Sequence, residues 1–232
     1  MCSRYSITTN PEAMRRLFEF SNATSNIQPR YNAAPLQDLP VVRLDKNSQR
    51  ELVMLRWGLI PSWANNPTIG HGTINARAET VARRPAFREA FRKRRCLVPA
   101  DGFYEWKTVA GGKQPHRITL KYGAPFAMAG LWERWRKGDQ AIESFSIIVT
   151  RANDLCREIH DHMPVILYPE TWNTWLKATD DETLTTLVQP FPAHQMTMYP
   201  VSRRVGSPKN DDVGLIAPII TISSEIGLLS FS

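Results

Sequence analysis

A cysteine directly follows the initiator methionine in the opening segment "MCSRYS". Removal of Met1 would leave Cys2 with a free α-amine beside its thiol, a pair of nucleophiles that no internal cysteine offers. An α-amine has a pKa of about 7.7–8.0 and is partly uncharged at neutral pH, whereas a lysine amine, with a pKa of about 10.4, is almost fully protonated. The chain therefore begins with a candidate reagent for nucleophilic chemistry.

The segment "ADGFYEWK" over 100–107 places a carboxylate among aromatic residues. Partial burial of Glu105 against Phe103, Tyr104 and Trp106 would disfavour its charged form and raise its pKa, as a general acid near neutral pH requires. The alternative is a carboxylate that points to water or pairs with an arginine. We interpret Glu105 as a candidate acid–base group.

Polar side chains alternate in "TINARAET" over 73–80. If this segment is extended, Asn75, Arg77 and Glu79 share one face, because alternate residues of a strand point to the same side. An amide, a guanidinium and a carboxylate there would form a wall able to hold a phosphate or a sugar. A solvent-exposed strand face explains the pattern equally well.

Two histidines lie in "REIHDHMPV" over 157–165. The pattern predicts that His160 and His162 end a short helix, where the helix dipole favours a protonated imidazole able to donate a proton. A structural histidine is the alternative. An H-x-H pair also occurs in metal sites, but no further ligand follows at metal-site spacing, so the sequence predicts no metal and no cofactor.

Positive charge points towards a nucleic-acid partner. The 29 basic and 22 acidic residues give a net charge of +7, and a basic domain with clustered arginines is typical of nucleic-acid binding, although other basic proteins are common. In "RRPAFREAFRKRR" (83–95) we expect a helix that buries its apolar side and turns four arginines to solvent or to a phosphate backbone: Arg84, Arg88, Arg92 and Arg95. Trp57 and Trp63 of "RWGLIPSWA" (56–64) are either a stacking platform for bases or part of the core.

Composition and patterning favour a single intracellular α+β domain. The chain is 42% hydrophobic and 22% charged, has three cysteines without a C-x-x-C pair, and lacks a signal peptide or an apolar run long enough to span a membrane. Short strands outnumber short helices, which predicts a barrel-like, largely antiparallel β core flanked by short helices. The predicted strands are 40–44, 51–57, 116–122, 125–132, 144–150, 164–168 and 196–201, and the predicted helices begin near Asn10 and span 153–160, 169–177 and 181–188.

Taken in order, seven segments resemble the successive motifs of the SRAP (SOS response-associated peptidase) family between residue 2 and about residue 218. They are "MCSRYS", "PRYNAAP", "RWGLIPSWA", "INARAET", "ADGFYEWK", "IHDHMPVIL" and "YPVSRRVGSPKND". We expect a SRAP-like domain over 1–218 and a C-terminal tail over 219–232 that is disordered or an unrelated extension. Ser3 and His162 depart from the family pattern, which has glycine and commonly arginine at these two positions.

The resemblance implies a DNA-repair protein in which mature Cys2 captures abasic sites in single-stranded DNA. The ring-opened sugar exposes an aldehyde, with which the Cys2 amine forms an imine that the thiol closes to a thiazolidine. Glu105 would shuttle protons, including during reversal of the bond, while His160 would act on the departing sugar oxygen and Asn75 would orient the aldehyde and the Cys2 backbone. Arg4 and Arg77 would grip phosphates, Trp57 and Trp63 would contact bases, and His162 would be a weaker DNA contact.

The resemblance also implies a monomer that acts in the cytoplasm, associated with the nucleoid if the host is bacterial, with replication-fork proteins as further partners. Two other classes of function remain open at this point. One is a cysteine peptidase with Cys2 as nucleophile and His160 as base, whose main visible product would be release of Met1, by the protein itself or by an aminopeptidase. The other is a passive module that binds single-stranded DNA without forming a bond.

Overall fold

Strands dominate the computed structural model, which describes residues 2–22 and 27–219. The strands of these residues are β1 (Tyr5–Ile7), β2 (Arg30–Ala33), β3 (Asp38–Leu44), β4 (Arg50–Trp57), β5 (Asn75–Arg77), β6 (Arg95–Ala100), β7 (Gly102–Val109), β8 (Gly112–Leu120), β9 (Phe126–Lys137), β10 (Gln140–Arg151), β11 (His162–Pro164), β12 (Ile166–Leu167) and β13 (Met196–Pro200). The α-helices are α1 (Pro11–Phe18), α2 (Arg88–Lys93), α3 (Asp154–Arg157), α4 (Trp172–Lys177) and α5 (Asp181–Leu187).

Five strands close into a barrel in the order β4, β3, β6, β9 and β10. Four of the contacts around the ring are antiparallel, and the parallel pairing of β10 with β4 closes it, with Phe145 beside Trp57. The inward residues form one large hydrophobic core, and closure leaves the ring without free edges. The predicted α+β class with a barrel-like, largely antiparallel core is thereby confirmed.

A second sheet, in the order β13, β8, β7, β1 and β2, packs beside the barrel and carries the N-terminus. Tyr5 pairs with Phe103, and the backbone N–H of Tyr104 donates to the carbonyl of Arg4 at 3.0 Å. If this register is continued by two residues, Ser3 lies opposite Glu105. Pairing of β1 with β7 therefore brings Cys2 and Glu105 together, although about a hundred residues separate them in sequence.

A buried polar network holds β1 in this register. The carboxylate of Asp101 accepts hydrogen bonds from the Ser6 hydroxyl at 2.6 Å, from the backbone N–H of Thr8, and from the Arg117 guanidinium at 2.8 Å. Arg117 in turn lies directly against Gly102, where an added Cβ would approach its Nε to 2.7 Å. A side chain at position 102 would therefore displace the Arg117 guanidinium from its place beside Asp101.

Several helices begin where the sequence predicts. In α1, Asn10 accepts a hydrogen bond from the backbone N–H of Ala13 and Pro11 occupies the first turn, as expected for a capped amphipathic helix. The helix predicted within 83–95 is shorter, because α2 ends at Lys93 and Arg95 already belongs to β6.

The expected solvent-facing ridge of four arginines does not form. Arg95 is buried and donates to main-chain carbonyls, among them that of Phe91 at 2.7 Å, and Arg92 forms an ion pair with Asp181. Of the predicted tail, residues 220–232 lie outside the described part of the chain.

We predict that the Arg117→Leu variant lowers the free energy of unfolding by about 3–5 kcal/mol, because it leaves the Asp101 carboxylate buried without its cation. Urea denaturation of the variant and of the wild type measures the difference. The matched control is Arg92→Leu, which breaks a pair that is about half exposed and should barely move the transition. Equal losses in the two variants would contradict the role assigned to the network.

Candidate active site

Cys2 lies at the entrance to β1 and is fully buried. Burial raises the pKa of its thiol well above the ordinary value, and the negative charge of nearby Glu105 raises that pKa further. Its Sγ lies 3.9 Å from the carbonyl oxygen of Arg4. Removal from water is the largest of these effects and therefore decides the direction of the shift.

Asn75 connects Cys2 to the barrel. It begins β5, which runs parallel to β10 with Asn75 beside Ile147. The Nδ2 atom of Asn75 donates a hydrogen bond of 2.7 Å to the carbonyl oxygen of Cys2. Its Oδ1 atom is buried and has no hydrogen-bond partner among the described residues. The amide thus fixes the backbone of Cys2 and retains one acceptor that can face the α-amine or a substrate.

Glu105 is 5% exposed, and this burial raises its pKa from the ordinary value of 4.5 to about 7. The raised pKa agrees with the interpretation of "ADGFYEWK", but the surroundings differ from those expected. Tyr104 and Trp106 alternate to the other side of β7, where they pack in a separate cluster with Tyr31. At a pKa near 7 the carboxyl group exists in both protonation states at neutral pH, as a proton shuttle requires.

His160 follows α3 without ending it, because that helix stops at Arg157. Its Nδ1 lies 3.0 Å from the backbone nitrogen of His162 and 3.2 Å from the carbonyl oxygen of the same residue, contacts that orient the ring and fit either neutral tautomer. Burial is the main cause that lowers the pKa of His160. The expected protonated imidazole at a helix end is therefore not what the structure favours.

Two of the predicted DNA contacts line one open cleft of about 420 Å³, here called the arginine cleft: Arg77 and His162. Its other charged residues are Glu79, Arg151, Arg157 and Asp161. Strand pairing assembles this cleft, with Arg77 beside Val149 and Arg151 opposite His162. Arg151 and Arg157 were not predicted, because neither belongs to a pattern that marks it within its own segment.

The two predicted tryptophan contacts to DNA differ in their surroundings. Trp57 is fully buried, packs edge-on against Tyr5 at 5.2 Å and donates its Nε1–H to the carbonyl of Ile74. It cannot stack against bases, because its ring faces the barrel core. Trp63, by contrast, is 58% exposed and open to a ligand.

Arg4 is half-buried and does not line the arginine cleft. Its guanidinium donates to Asn32 Oδ1 at 2.9 Å, to the Val205 carbonyl at 2.8 Å and to the Gly206 carbonyl at 3.1 Å. These bonds fasten a later segment of the chain, within the motif "YPVSRRVGSPKND", onto β1 and β2. Arg4 therefore has a structural role in this fold, and its contact with phosphate stays a prediction.

The described residues contain no group of three or more histidine, cysteine, aspartate or glutamate side chains able to hold a metal ion. Within the same part of the chain, helices are too short or too polar to cross a membrane.

We predict that Glu105 makes stability depend on pH between 4.5 and about 7. In this window the folded protein keeps a proton that the unfolded chain has released, so the wild-type free energy of unfolding falls as pH rises. The Glu105→Gln variant lacks this titration and should gain about 3 kcal/mol relative to wild type across the window. Urea unfolding at several pH values tests this, with exposed Glu79→Gln as the control for net charge; parallel profiles for wild type and Glu105→Gln would contradict it.

Sequence comparisons identify close relatives over most of the chain. The chain is 41% identical over 222 residues to "Abasic site processing protein YoqW" of Bacillus subtilis (strain 168), covering 93% of this chain and 99% of that protein. It is 32% identical to "Abasic site processing protein YedK" of Escherichia coli (strain K12), over 82% of this chain and 85% of that protein. It is 29% identical to "Abasic site processing protein HMCES" of Xenopus tropicalis, over 100% of this chain and 82% of that protein.

Solved structures show the same fold. An X-ray structure of a protein from Bacteroides thetaiotaomicron superposes with a TM-score of 0.86 at 28% identity, covering 94% of this chain and all of that one. A protein from Bordetella bronchiseptica gives a TM-score of 0.75 at 30% identity, over 87% of this chain and all of the other. The family model "SOS response associated peptidase (SRAP)" matches residues 1–208. The chain therefore belongs to the SRAP family.

Proposed function

We propose that this protein processes abasic sites in DNA, and that it captures them in single-stranded DNA through a covalent bond to Cys2 once Met1 has been removed. The names of its relatives support the substrate, since YoqW, YedK and HMCES are each called abasic site processing proteins. The net charge of +7 and the arginine cleft suit a polyanion.

The observation that carries the mechanism is the burial of Cys2 beside Glu105. A thiol whose pKa is raised by burial is a poor first nucleophile, because the thiolate is the reactive form. The α-amine of a mature N-terminal Cys2 is partly uncharged near neutral pH. The amine therefore attacks first and the thiol acts second, when it is already held beside the reacting carbon.

The proposed capture takes two steps. The Cys2 amine adds to C1′ of the ring-opened sugar, protonated Glu105 donates a proton to the resulting hydroxyl, and water leaves to give a protonated imine (iminium). The Glu105 carboxylate then accepts the thiol proton while sulfur bonds to C1′, and the electron pair of the C=N bond moves to nitrogen, which leaves a neutral N–H in the closed thiazolidine ring. Because the thiol is covalently attached beside the imine, the second attack has a high effective molarity.

Asn75 and His160 assist these steps. Asn75 holds the Cys2 carbonyl at 2.7 Å, which restricts the rotation of the residue that carries both nucleophiles. His160 supplies a proton to the sugar oxygen that departs when the ring opens, and its Nδ1 contacts with the backbone of His162 keep the imidazole oriented. Reversal runs through the same groups, with protonated Glu105 returning a proton to sulfur.

The buried thiol also weighs against a peptidase, in which a thiolate would have to attack first. Removal of Met1 is then a processing step that exposes the amine. A passive DNA-binding module would leave unexplained why a carboxyl group that titrates near neutral pH lies beside a buried cysteine.

We predict that purified protein forms a heat-stable complex with single-stranded DNA that carries one abasic site, seen as a shifted band in denaturing electrophoresis. Cys2→Ala should abolish the band, and Glu105→Gln should slow its formation about 100-fold or more, because general acid–base catalysis contributes at least that factor. Mass spectrometry first confirms that the protein begins at Cys2.

Selective acetylation of the α-amine separates the mechanisms, since it should abolish the complex while a thiol-dependent peptidase would be unaffected. A band that forms with equal speed after acetylation would overturn the amine-first mechanism. No band from protein confirmed to begin at Cys2 would overturn the covalent function itself.

A further inference from the structure

Two open clefts lie side by side on the surface and share Glu79 and Arg151. The first is the arginine cleft. The second has a volume of about 330 Å³ and is here called the Gln189 cleft; its lining includes Ala78, Thr185, Val188, Gln189 and Pro190. Both volumes fall in the range of about 300–1,000 Å³ that is typical of small-ligand sites.

The arginine cleft has unsatisfied cationic groups. Within the described residues, the side chains of Arg77 and Arg151 form no ion pair and no hydrogen bond, while Arg157 contacts Asp154 at 3.4 Å. Two carboxylates, Glu79 and Asp161, also line the cleft, so its arginines exceed its acids by one charge. This balance suits a single phosphodiester anion, which arginine binds through its fork of N–H donors.

The Gln189 cleft has a different chemistry. Val188, Pro190 and Ala78 provide apolar surface on which a flat ring can lie. Gln189 donates one N–H to the carbonyl of Thr185 at 3.3 Å, which leaves its second N–H and its Oε1 for a ligand. An amide with a free donor and acceptor beside apolar surface is suited to the edge of a nucleobase.

Strand geometry connects both clefts to Cys2. Asn75, which holds the Cys2 carbonyl, and Arg77 are two residues apart on β5, a distance of roughly 7 Å along a strand. Arg151 stands opposite His162, two residues after His160, and lines both clefts. The strand that carries Asn75 therefore also reaches the arginine cleft, and Glu79 and Arg151 join that cleft to the Gln189 cleft; this series of neighbouring sites is here called the path.

We propose that this path binds the DNA strand on one side of the abasic site, with a backbone phosphate in the arginine cleft and the adjoining nucleobase in the Gln189 cleft. The inference rests on the proposed function and adds a base-contacting subsite to it. Because Gln189 presents a directional donor and acceptor, the subsite discriminates between bases at that one position.

The first test measures DNA binding in the absence of the covalent reaction. Fluorescence anisotropy of labelled single-stranded DNA containing a tetrahydrofuran abasic analogue, which cannot open to an aldehyde, measures affinity over a range of salt. Arg151→Gln should weaken binding about tenfold and reduce the slope of log affinity against log salt by about 0.7, the loss of one phosphate contact. The matched control is Arg136→Gln, which removes an exposed arginine on β9 and should leave the slope unchanged. Equal effects of the two variants would overturn the phosphate subsite.

Truncated DNA provides the second test. Reactive abasic strands are shortened one nucleotide at a time from either end, and the rate of covalent capture is measured at limiting DNA. We expect removal of the nucleotide that fills the Gln189 cleft to slow wild-type capture on one side only. We further expect base identity at this position to alter the rate in wild type but not in Gln189→Ala.

The outcomes separate the two proposals. Normal capture that is independent of strand length and base identity would overturn the subsite and leave the covalent function standing. Absence of capture by wild type on every strand would overturn the function, while the anisotropy series would still decide whether the path binds DNA.

Discussion

The hydrogen bond from Asn75 to the carbonyl of Cys2 is the contact on which the candidate site depends. It joins two otherwise separate parts of the structure, because Asn75 belongs to a strand aligned by β10 and Cys2 leads into β1 of the neighbouring sheet. A chain terminus usually has few contacts and remains mobile. Here Cys2 and the residues that follow it are held by an amide from one sheet and by strand pairing in the other, so the thiol of Cys2 occupies a defined place.

Burial explains most of the chemistry at this place. Withdrawal from water raises the pKa of both Glu105 and the Cys2 thiol; in water a glutamate is ionised at neutral pH, whereas a thiol is mostly protonated. One physical cause therefore brings the titration of Glu105 close to neutral pH and keeps the adjacent sulfur protonated. This burial also lowers the free energy of unfolding at pH values where Glu105 ionises, because a buried carboxylate is less stable than one in water.

Local patterns predicted much of the fold and several site residues, whereas long-range contacts escaped them. The capped helix α1, the hairpin of β3 and β4 and the α+β class follow from short-range periodicity, and the motifs singled out Asn75 and Glu105. The positions of the Arg4 and Trp57 side chains could not be predicted in this way, because tertiary packing determines their partners. Arg4 donates to carbonyls about 200 residues away in sequence, and Trp57 faces the interior of a barrel that no single segment predicts. Arg151 lies in the arginine cleft because it pairs with His162 across two strands, a contact that no local pattern predicts.

Residues 205–211 are hydrogen-bonded to the first two strands, so these strands cannot complete their contacts until almost the whole chain has been synthesised. The amide of Asn32 donates to the carbonyls of Val205, Ser207 and Asn210, and Asp211 accepts from the backbone of Tyr31 and Asn32. At about 5–20 residues per second, a ribosome needs roughly 10–40 s to supply residue 211 after the first strands. During this interval the hydrogen bonds that join Arg4 and Asn32 to residues 205–210 cannot form. The first two strands therefore reach their final set of contacts only when the chain is almost complete.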